Sequence, residues 1–110
     1  MRNWIVGCAA GALLAAGMMQ AQSKAKAGDA AKGKDVFEQC SVCHNADSEE
    51  TKVGPGLKGL FKHAKLANGK PVNEANVREM INMGGNGMPS FSDSLSDQDK
   101  NDVIAYLKTL

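Results

Sequence analysis

The chain downstream of residue 21 has few large apolar side chains from which a hydrophobic core can be built. It contains one Tyr and three Phe residues, and the single tryptophan, Trp4, lies upstream. A domain of about 90 residues gains only a small margin of stability from burial, so chains of this size often depend on a disulfide, a metal or a cofactor. Cys40 and Cys43 are the two cysteines of this region, too few for a disulfide framework. We therefore expect a bound group to complete the core.

Residues 1–21 have the pattern of a secretory signal peptide. Arg2 supplies a positive charge, and an uncharged, mostly apolar segment runs from Trp4 to Met19. Polar residues follow, and small residues between positions 21 and 27 offer several places for cleavage. The pattern predicts a signal peptide over residues 1–21, with cleavage between 21 and 27, and one exported domain over residues 22–110. We therefore expect a periplasmic protein.

Two other roles for the N-terminal segment fit its length and order less well. The sixteen residues of its apolar part are few beside the roughly 20 that a membrane-spanning helix needs. Cys8 lies near the start of the apolar part, whereas a lipoprotein cysteine comes after it. We therefore expect neither stable membrane insertion nor lipidation.

The charge balance excludes one broad class of partner. Without Arg2, the thirteen Lys and Arg residues become twelve and equal the twelve Asp and Glu residues. Nucleic-acid-binding domains carry a strongly basic surface, which this balance does not provide. Lys58, Lys62, Lys65 and Lys70 form a locally basic stretch, interpreted as a solvated face because exposed lysines are common. We expect no nucleic-acid partner.

Apolar spacing and capping residues predict three helical segments. The first begins near Asp29, the second lies roughly between Asn73 and Met83, and the third begins after Ser96. Asp29 is a suitable N-cap, and Ser96 forms a Ser-x-x-Asp capping signal with Asp99. Glycine-rich turns separate the segments and no alternating strand pattern is present, so the predicted class is all-α with long loops. The helical faces are Gly33, Val36, Phe37 and Cys40; Val77, Met80, Ile81 and Gly84; and Val103, Tyr106, Leu107 and Leu110.

The segment Cys40-Ser41-Val42-Cys43-His44 carries the chemistry. Two thiols at this spacing can each add to a vinyl group on one edge of a porphyrin. The histidine directly after the second thiol then lies beneath the ring, where its imidazole reaches the iron. Cys-x-x-Cys-His is the pattern of c-type haem attachment, so the segment predicts one covalent haem with His44 as an iron ligand.

Three other interpretations of the cysteine pair stay open. A thioredoxin-like dithiol accompanies a βαβ pattern, which this sequence lacks. A zinc site needs about four ligands, and only His63 is left to join the two thiols and His44. A plain disulfide explains neither His44 nor the thin core. His63 itself is interpreted as an exposed loop residue, since surface histidines are ordinary.

A haem iron bound by His44 on one face has one axial position left. The candidates downstream of the signal peptide are Met80, Met83, Met88 and His63. Met80 lies on the apolar face of a predicted helix, where methionine usually packs in the core. Residues 84–87 form a flexible, glycine-rich approach to Met88, and Pro89 stiffens the chain beyond it. We predict that Met88 is the second iron ligand.

Four segments of the chain resemble class I cytochrome c. They are Cys40–His44, Gly54–Leu57, Gly87–Pro89 and Val103–Lys108. The likeness extends from about residue 29 to residue 110, and the interval between His44 and Met88 is similar to that of the short bacterial members. The resemblance implies the cytochrome c fold, with about three to four helices and long loops wrapped around one covalent haem. Its N- and C-terminal helices would cross and bring together Gly33, Phe37, Val103 and Tyr106.

The resemblance also implies roles for individual residues around the haem. The backbone carbonyl of Pro55 would accept a hydrogen bond from the far ring nitrogen of His44, which fixes the tautomer of this ligand. The chain differs from the mitochondrial protein in lacking a downstream tryptophan for a haem propionate and in lacking its strong positive charge. The haem-wall residues would be Leu57, Leu60, Ile81 and Phe91.

These ligands imply a single-electron carrier and not an enzyme. A thioether opposite imidazole favours ferrous iron and raises the reduction potential, and six ligands leave no open position for a substrate. Electrons would pass to and from redox proteins through an exposed haem edge, with the carrier acting as a monomer. One alternative is an electron-accepting subunit of a periplasmic dehydrogenase or oxidase. The other is a haem-based ligand sensor, or a peroxidase-like protein, in which Met88 leaves the iron.

Overall fold

The computed structural model describes residues 26–110, which contain three α-helices and one short 3-10 helix. The elements are α1 (Ala30–Phe37), the 3-10 helix (Leu60–Lys62), α2 (Glu74–Met83) and α3 (Asp97–Leu107). Pairing of extended backbone in this range is limited to two isolated bridges, which agrees with the all-α class. None of the helices between residues 26 and 110 has the length and apolar character to cross a bilayer. The signal peptide predicted over residues 1–21 lies outside the described residues.

Side-chain caps fix where the helices begin. The Asp29 carboxylate caps α1 by accepting a hydrogen bond from the amide of Ala31 at 2.9 Å. Asn73 caps α2 in the same way, and Ser96 and Asp99 form a reciprocal capping box at the start of α3. The three helix starts predicted from the sequence are therefore confirmed.

The first helix is shorter than its apolar spacing predicts. The pattern extends to Cys40, whereas α1 ends at Phe37. Tight turns replace the helix beyond that point, because the Cys40 amide donates to the Phe37 carbonyl at 2.7 Å, only three residues back. A further turn follows, in which the His44 amide donates to the Cys40 carbonyl at 2.9 Å. The two thiols and the histidine therefore lie on consecutive turns and not on one helix face.

α1 and α3 cross at close range, as the resemblance implied. Gly33 makes the crossing possible, because a Cβ atom at this position would lie 1.9 Å from the Asp102 carbonyl oxygen and 2.8 Å from the Cβ of Tyr106. The rings of Phe37 and Tyr106 pack beside it with centroids 5.4 Å apart. A residue without a side chain is thus required where the two helix backbones touch.

Two charged side chains are buried near the same crossing. Asp102 is 3% exposed, and its carboxylate accepts hydrogen bonds from the Asp29 amide and from Gln98 Nε2, both at 2.9 Å. Lys100 is 5% exposed and donates to the carbonyl of Ser92 at 3.1 Å. Asp102 therefore ties the beginning of α1 to α3. The apolar core around it consists of Phe37, Val77, Ile81, Leu95, Val103, Ile104 and Leu107.

Candidate haem site

A cavity of about 480 Å³ lies beside this core. Its volume falls within the range of about 300–1,000 Å³ that is typical of cofactor and small-molecule sites. Loops and turns form most of its lining, and α2 contributes one helical wall. The site residues predicted from the sequence all lie on its lining: Cys40, Cys43, His44, Pro55, Leu57, Leu60, Ile81, Met88 and Phe91.

The His44 ring is oriented by the loop opposite it. Its Nδ1 atom lies 2.8 Å from the carbonyl oxygen of Pro55, so an Nδ1–H group donates a hydrogen bond there. This tautomer leaves Nε2 with a free lone pair, which is the form in which imidazole binds a metal. The hydrogen bond thus sets both the direction and the tautomer of the ring.

Gly54 and Gly56 allow this loop to approach the His44 ring. A Cβ atom on Gly54 would lie 2.6 Å from Cε1 of His44, and one on Gly56 would lie 2.2 Å from the carbonyl oxygen of Ser48. The Gly54 amide also donates to the Cys43 carbonyl at 2.7 Å, which joins the loop to the haem-attachment segment. The sequence marks these glycines as turn residues within a segment that resembles class I cytochrome c. The packing of Gly54 against His44, and of Gly56 against the Ser48 carbonyl, has no sequence signal beyond the residue type.

The segment that carries Met88 is a tight, strained turn. Gly85 and Met88 exchange backbone hydrogen bonds at 2.9 and 3.0 Å, and Asn86 and Gly87 between them have φ angles of 53° and 93°. Gly84 packs under the turn, where a Cβ atom would lie 2.3 Å from the Met88 carbonyl oxygen. Positive φ favours glycine, so the glycine-rich run is required by the backbone and directs Met88 into the cavity lining.

The other candidate ligands occupy different positions. Met83 is 70% exposed and does not line the cavity. Met80 is half-buried on α2 and lines the cavity. His63 also lines it, but its Nε2 atom lies 3.3 Å from a carboxylate oxygen of Glu49. Met88 and Met80 therefore line the same cavity, but Met88 lies on a hydrogen-bonded turn whereas Met80 lies on α2.

The two thiols are free and half-buried. Burial raises the pKa of the Cys40 thiol, and the nearby Cys43 thiol adds to this rise. Reactive dithiols of the thioredoxin type have a lowered thiol pKa. The raised pKa of Cys40 therefore disfavours a thioredoxin-like role for the cysteine pair. Residues 26–110 also contain no group of three or more His, Cys, Asp or Glu side chains placed to hold a metal ion, so the zinc alternative has no ligand set there.

The residues around the cavity fit a covalent haem. Two thiols, the His44 imidazole and the Met88 sulfur all lie on the cavity lining, and the remaining walls are mostly apolar. Val53 lies at the cavity surface and is 74% exposed, and Val42 between the two cysteines is 69% exposed. Apolar side chains are thus presented to solvent beside the attachment segment.

Known proteins similar to this chain are cytochromes. The family profile of cytochrome c matches residues 30–110. Cytochrome c2 from Blastochloris viridis is 36% identical over 101 residues, covering 76% of this chain and 80% of the relative. Cytochrome c6 from Leptolyngbya boryana is 39% identical over 80 residues, covering 72% of this chain and 89% of the relative. The structure of cytochrome c6 from the diatom Phaeodactylum tricornutum aligns with a TM-score of 0.58 and 28% identity, covering 74% of this chain and 93% of that one.

Proposed function

Because the chain belongs to the cytochrome c family, we propose that it is a periplasmic single-electron carrier whose haem iron is held between His44 and Met88. The family binds haem c covalently, and Cys40 and Cys43 are the two thiols that match its attachment motif. The observation that carries the proposal is the meeting of both thiols, His44 and Met88 on the lining of one cavity.

Each of these residues has a distinct part in electron transfer. When bound, the haem supplies a one-electron iron couple. The thioethers of Cys40 and Cys43 fix the group in the cavity, and Pro55 holds the His44 lone pair in one direction. The Met88 thioether, a neutral donor, favours the ferrous state. Because the turn around Met88 is closed by two backbone hydrogen bonds, it would hold this ligand in a similar position in both oxidation states.

The same ligands make the protein a carrier and not an enzyme. With His44 and Met88 both bound to the iron, no coordination position would be left for a substrate. Electrons would enter and leave beside the attachment segment, where Val53 on the cavity lining and Val42 between the two cysteines are both exposed. Small apolar surfaces of this kind suit the brief, weak encounters of redox proteins, for which interfaces below about 1,200 Å² are typical. The partners proposed are soluble or membrane-bound redox proteins that meet a monomeric carrier.

Export is the part of the proposal that depends on the N-terminal segment. The charged start, apolar middle and small residues before position 27 support signal-directed export to the periplasm. Cys40 and Cys43 are free in the folded chain and available for haem attachment there. We expect mass spectrometry of the mature protein to find an N-terminus between residues 22 and 28 and one covalently bound haem. Retention of residues 1–21 contradicts the export proposal.

Exposure of the reduced, haem-loaded protein to carbon monoxide tests the carrier assignment. A carrier whose axial positions are both filled keeps its reduced spectrum at neutral pH and is reversibly oxidised and reduced in a potentiometric titration. A carbon monoxide complex at neutral pH overturns the carrier assignment in favour of the haem-sensor class. A stoichiometric complex with a larger dehydrogenase or oxidase on gel filtration overturns the free carrier in favour of a dedicated subunit.

A further inference from the structure

One part of the cavity lining differs in chemistry from the rest. Residues 63–68 contribute His63, Lys65 and Asn68, whereas most of the other walls are apolar. Gln39 and Asn86 are the remaining polar side chains apart from the proposed thiol and imidazole donors, and neither carries a charge. Among the residues of the described range that line the cavity, Lys65 is the sole lysine or arginine. The cavity thus has one cationic end.

The backbone at this end is fixed by hydrogen bonds. The Leu66 amide donates to the Lys70 carbonyl at 2.8 Å, and the Val72 amide donates to the Ala64 carbonyl at 3.1 Å. These bonds close a small hairpin that holds Lys65 against the cavity, and Lys65 also forms an isolated bridge with residue 71. Asn68 Oδ1 accepts the Lys70 amide at 3.0 Å, which orients the asparagine side chain within the same hairpin.

Lys65 lines the cavity and has no counter-ion among the described residues. Residues 51–73 contain five lysines and no Asp or Glu. Within that stretch, Lys70 pairs with Glu79, and Lys52 donates to the Ser41 carbonyl at 2.7 Å. Lys65 makes no ion pair or side-chain hydrogen bond with any residue from 26 to 110. A lysine ammonium group that lies at a cavity wall without a counter-ion is suited to bind an anionic group of the bound molecule.

His63 is less suited than Lys65 to bind such an anion. Its Nε2 atom already faces the Glu49 carboxylate at 3.3 Å, and a neutral imidazole carries only one N–H donor. The negative charge of Glu49 also offsets any positive charge on His63. The amide of Asn68 can add a neutral donor beside the ammonium group, since its Nδ2 has no hydrogen-bond partner among the described residues.

We infer that Lys65 is the counter-ion of a haem propionate and that Asn68 supports it, an assignment that rests on the proposed function. A haem attached through its vinyl groups at Cys40 and Cys43 has its carboxylates on another edge of the ring. Carboxylates that are partly removed from water need a cation or a hydrogen-bond donor. The cationic end formed by residues 63–68 supplies both. Lys65 is exposed, like the other lysines of the basic stretch, and the proposal gives it a role beyond that of a solvated residue.

The test compares Lys65→Met with Lys62→Met in the haem-loaded protein. Both variants remove one exposed positive charge from the same segment, but Lys65 lines the cavity and Lys62 does not. The reduction potential is measured as a function of pH. Because an adjacent ammonium group lowers the pKa of a carboxyl by about 1–3 units, Lys65→Met should move the propionate-linked step of this curve at least one pH unit higher. Lys62→Met should leave that step at its wild-type pH.

The other titrating and charged groups at this end are His63, Glu49, Lys70 and Glu79, and they are identical in the two variants. Lys65→Arg should restore the wild-type profile, and Lys65→Gln serves as a second charge-removing variant if the methionine protein does not fold. Equal profiles for the Lys65 and Lys62 variants overturn the assignment while leaving the proposed function intact. Absence of covalent haem from the wild-type chain overturns the proposed function itself.

Discussion

The helix crossing and the haem cavity are two regions of one small domain that are stabilised in different ways. At the crossing, α1 and α3 touch directly through Gly33, and the Phe37 and Tyr106 rings fill the space beside it. The cavity has a volume of about 480 Å³, and loops and turns form most of its walls. Protein atoms alone complete the first region, whereas the second takes its support from the covalently held haem.

We therefore expect the helix crossing to determine mainly the stability of the fold and the cavity loops to determine mainly the redox chemistry. Substitutions at the crossing act on the free energy of unfolding through helix packing, without touching the proposed ligands. Substitutions in the cavity loops act on the geometry of His44 and Met88, and on stability only through the haem. A chain of this size has little surplus stability, so loss of the haem itself should affect both regions.

The largest expected effect is that of replacing both attachment cysteines. Cys40→Ala with Cys43→Ala should abolish covalent haem and leave the chain largely unfolded, because the cavity walls then lose their common support. Ser41→Ala, within the same motif but exposed, is the matched control and should keep haem and fold. Far-UV circular dichroism and extraction of haem into acidic organic solvent measure the two outcomes. Haem that resists extraction from the double variant contradicts covalent attachment at these cysteines.

Gly33→Ala should produce the next largest effect, confined to the crossing. The new Cβ atom would meet the Asp102 carbonyl oxygen at 1.9 Å, so α1 and α3 must separate. We expect a loss of about 3 kcal/mol in the free energy of unfolding, since overpacking exceeds the gain in helix propensity. Denaturant unfolding of the haem-loaded protein measures this loss. Lys34→Ala, an exposed change on the same helix, should leave the unfolding midpoint nearly unchanged.

Gly54→Ala should have a smaller effect on stability and a larger one on the site. Its Cβ atom would lie 2.6 Å from the His44 ring, and the ring or the loop must shift. We expect a loss of about 1 kcal/mol in stability, with altered haem absorption bands and an unchanged helical signal. Val53→Ala, the exposed neighbour, is the control. A Gly54→Ala spectrum identical to that of wild type means that the loop does not position His44.

The helices and the cavity also differ in how well the sequence predicted them. Capping signals at Asp29 and Ser96 predicted the starts of α1 and α3, because a capping side chain bonds only to nearby backbone. Apolar spacing placed α2 between Asn73 and Met83, and the structure adds the Asn73 cap. The end of α1 was mispredicted, since apolar spacing continues through Cys40 although the backbone forms turns there.

Predictions for the cavity were more uneven. The attachment motif and the glycine-rich approach to Met88 are contiguous, so they are visible in the sequence. Lys65 and Gly54 belong to the site only because of the fold. Lys65 lies on the cavity lining, and Gly54 packs against the His44 ring. Burial of Asp102 likewise depends on the Asp29 amide, which lies far away in sequence. Such contacts follow from the three-dimensional fold and leave no local pattern.

The far-red sulfur-to-iron absorption band of the oxidised, haem-loaded protein tests His44–Met88 ligation most directly. It should be present in wild type and in Met83→Ala, whose side chain is exposed and away from the cavity lining. It should vanish in Met88→Ala, together with a fall in reduction potential and the onset of carbon monoxide binding. A band and a potential that persist unchanged in Met88→Ala would contradict the account and move the sulfur ligand to Met80.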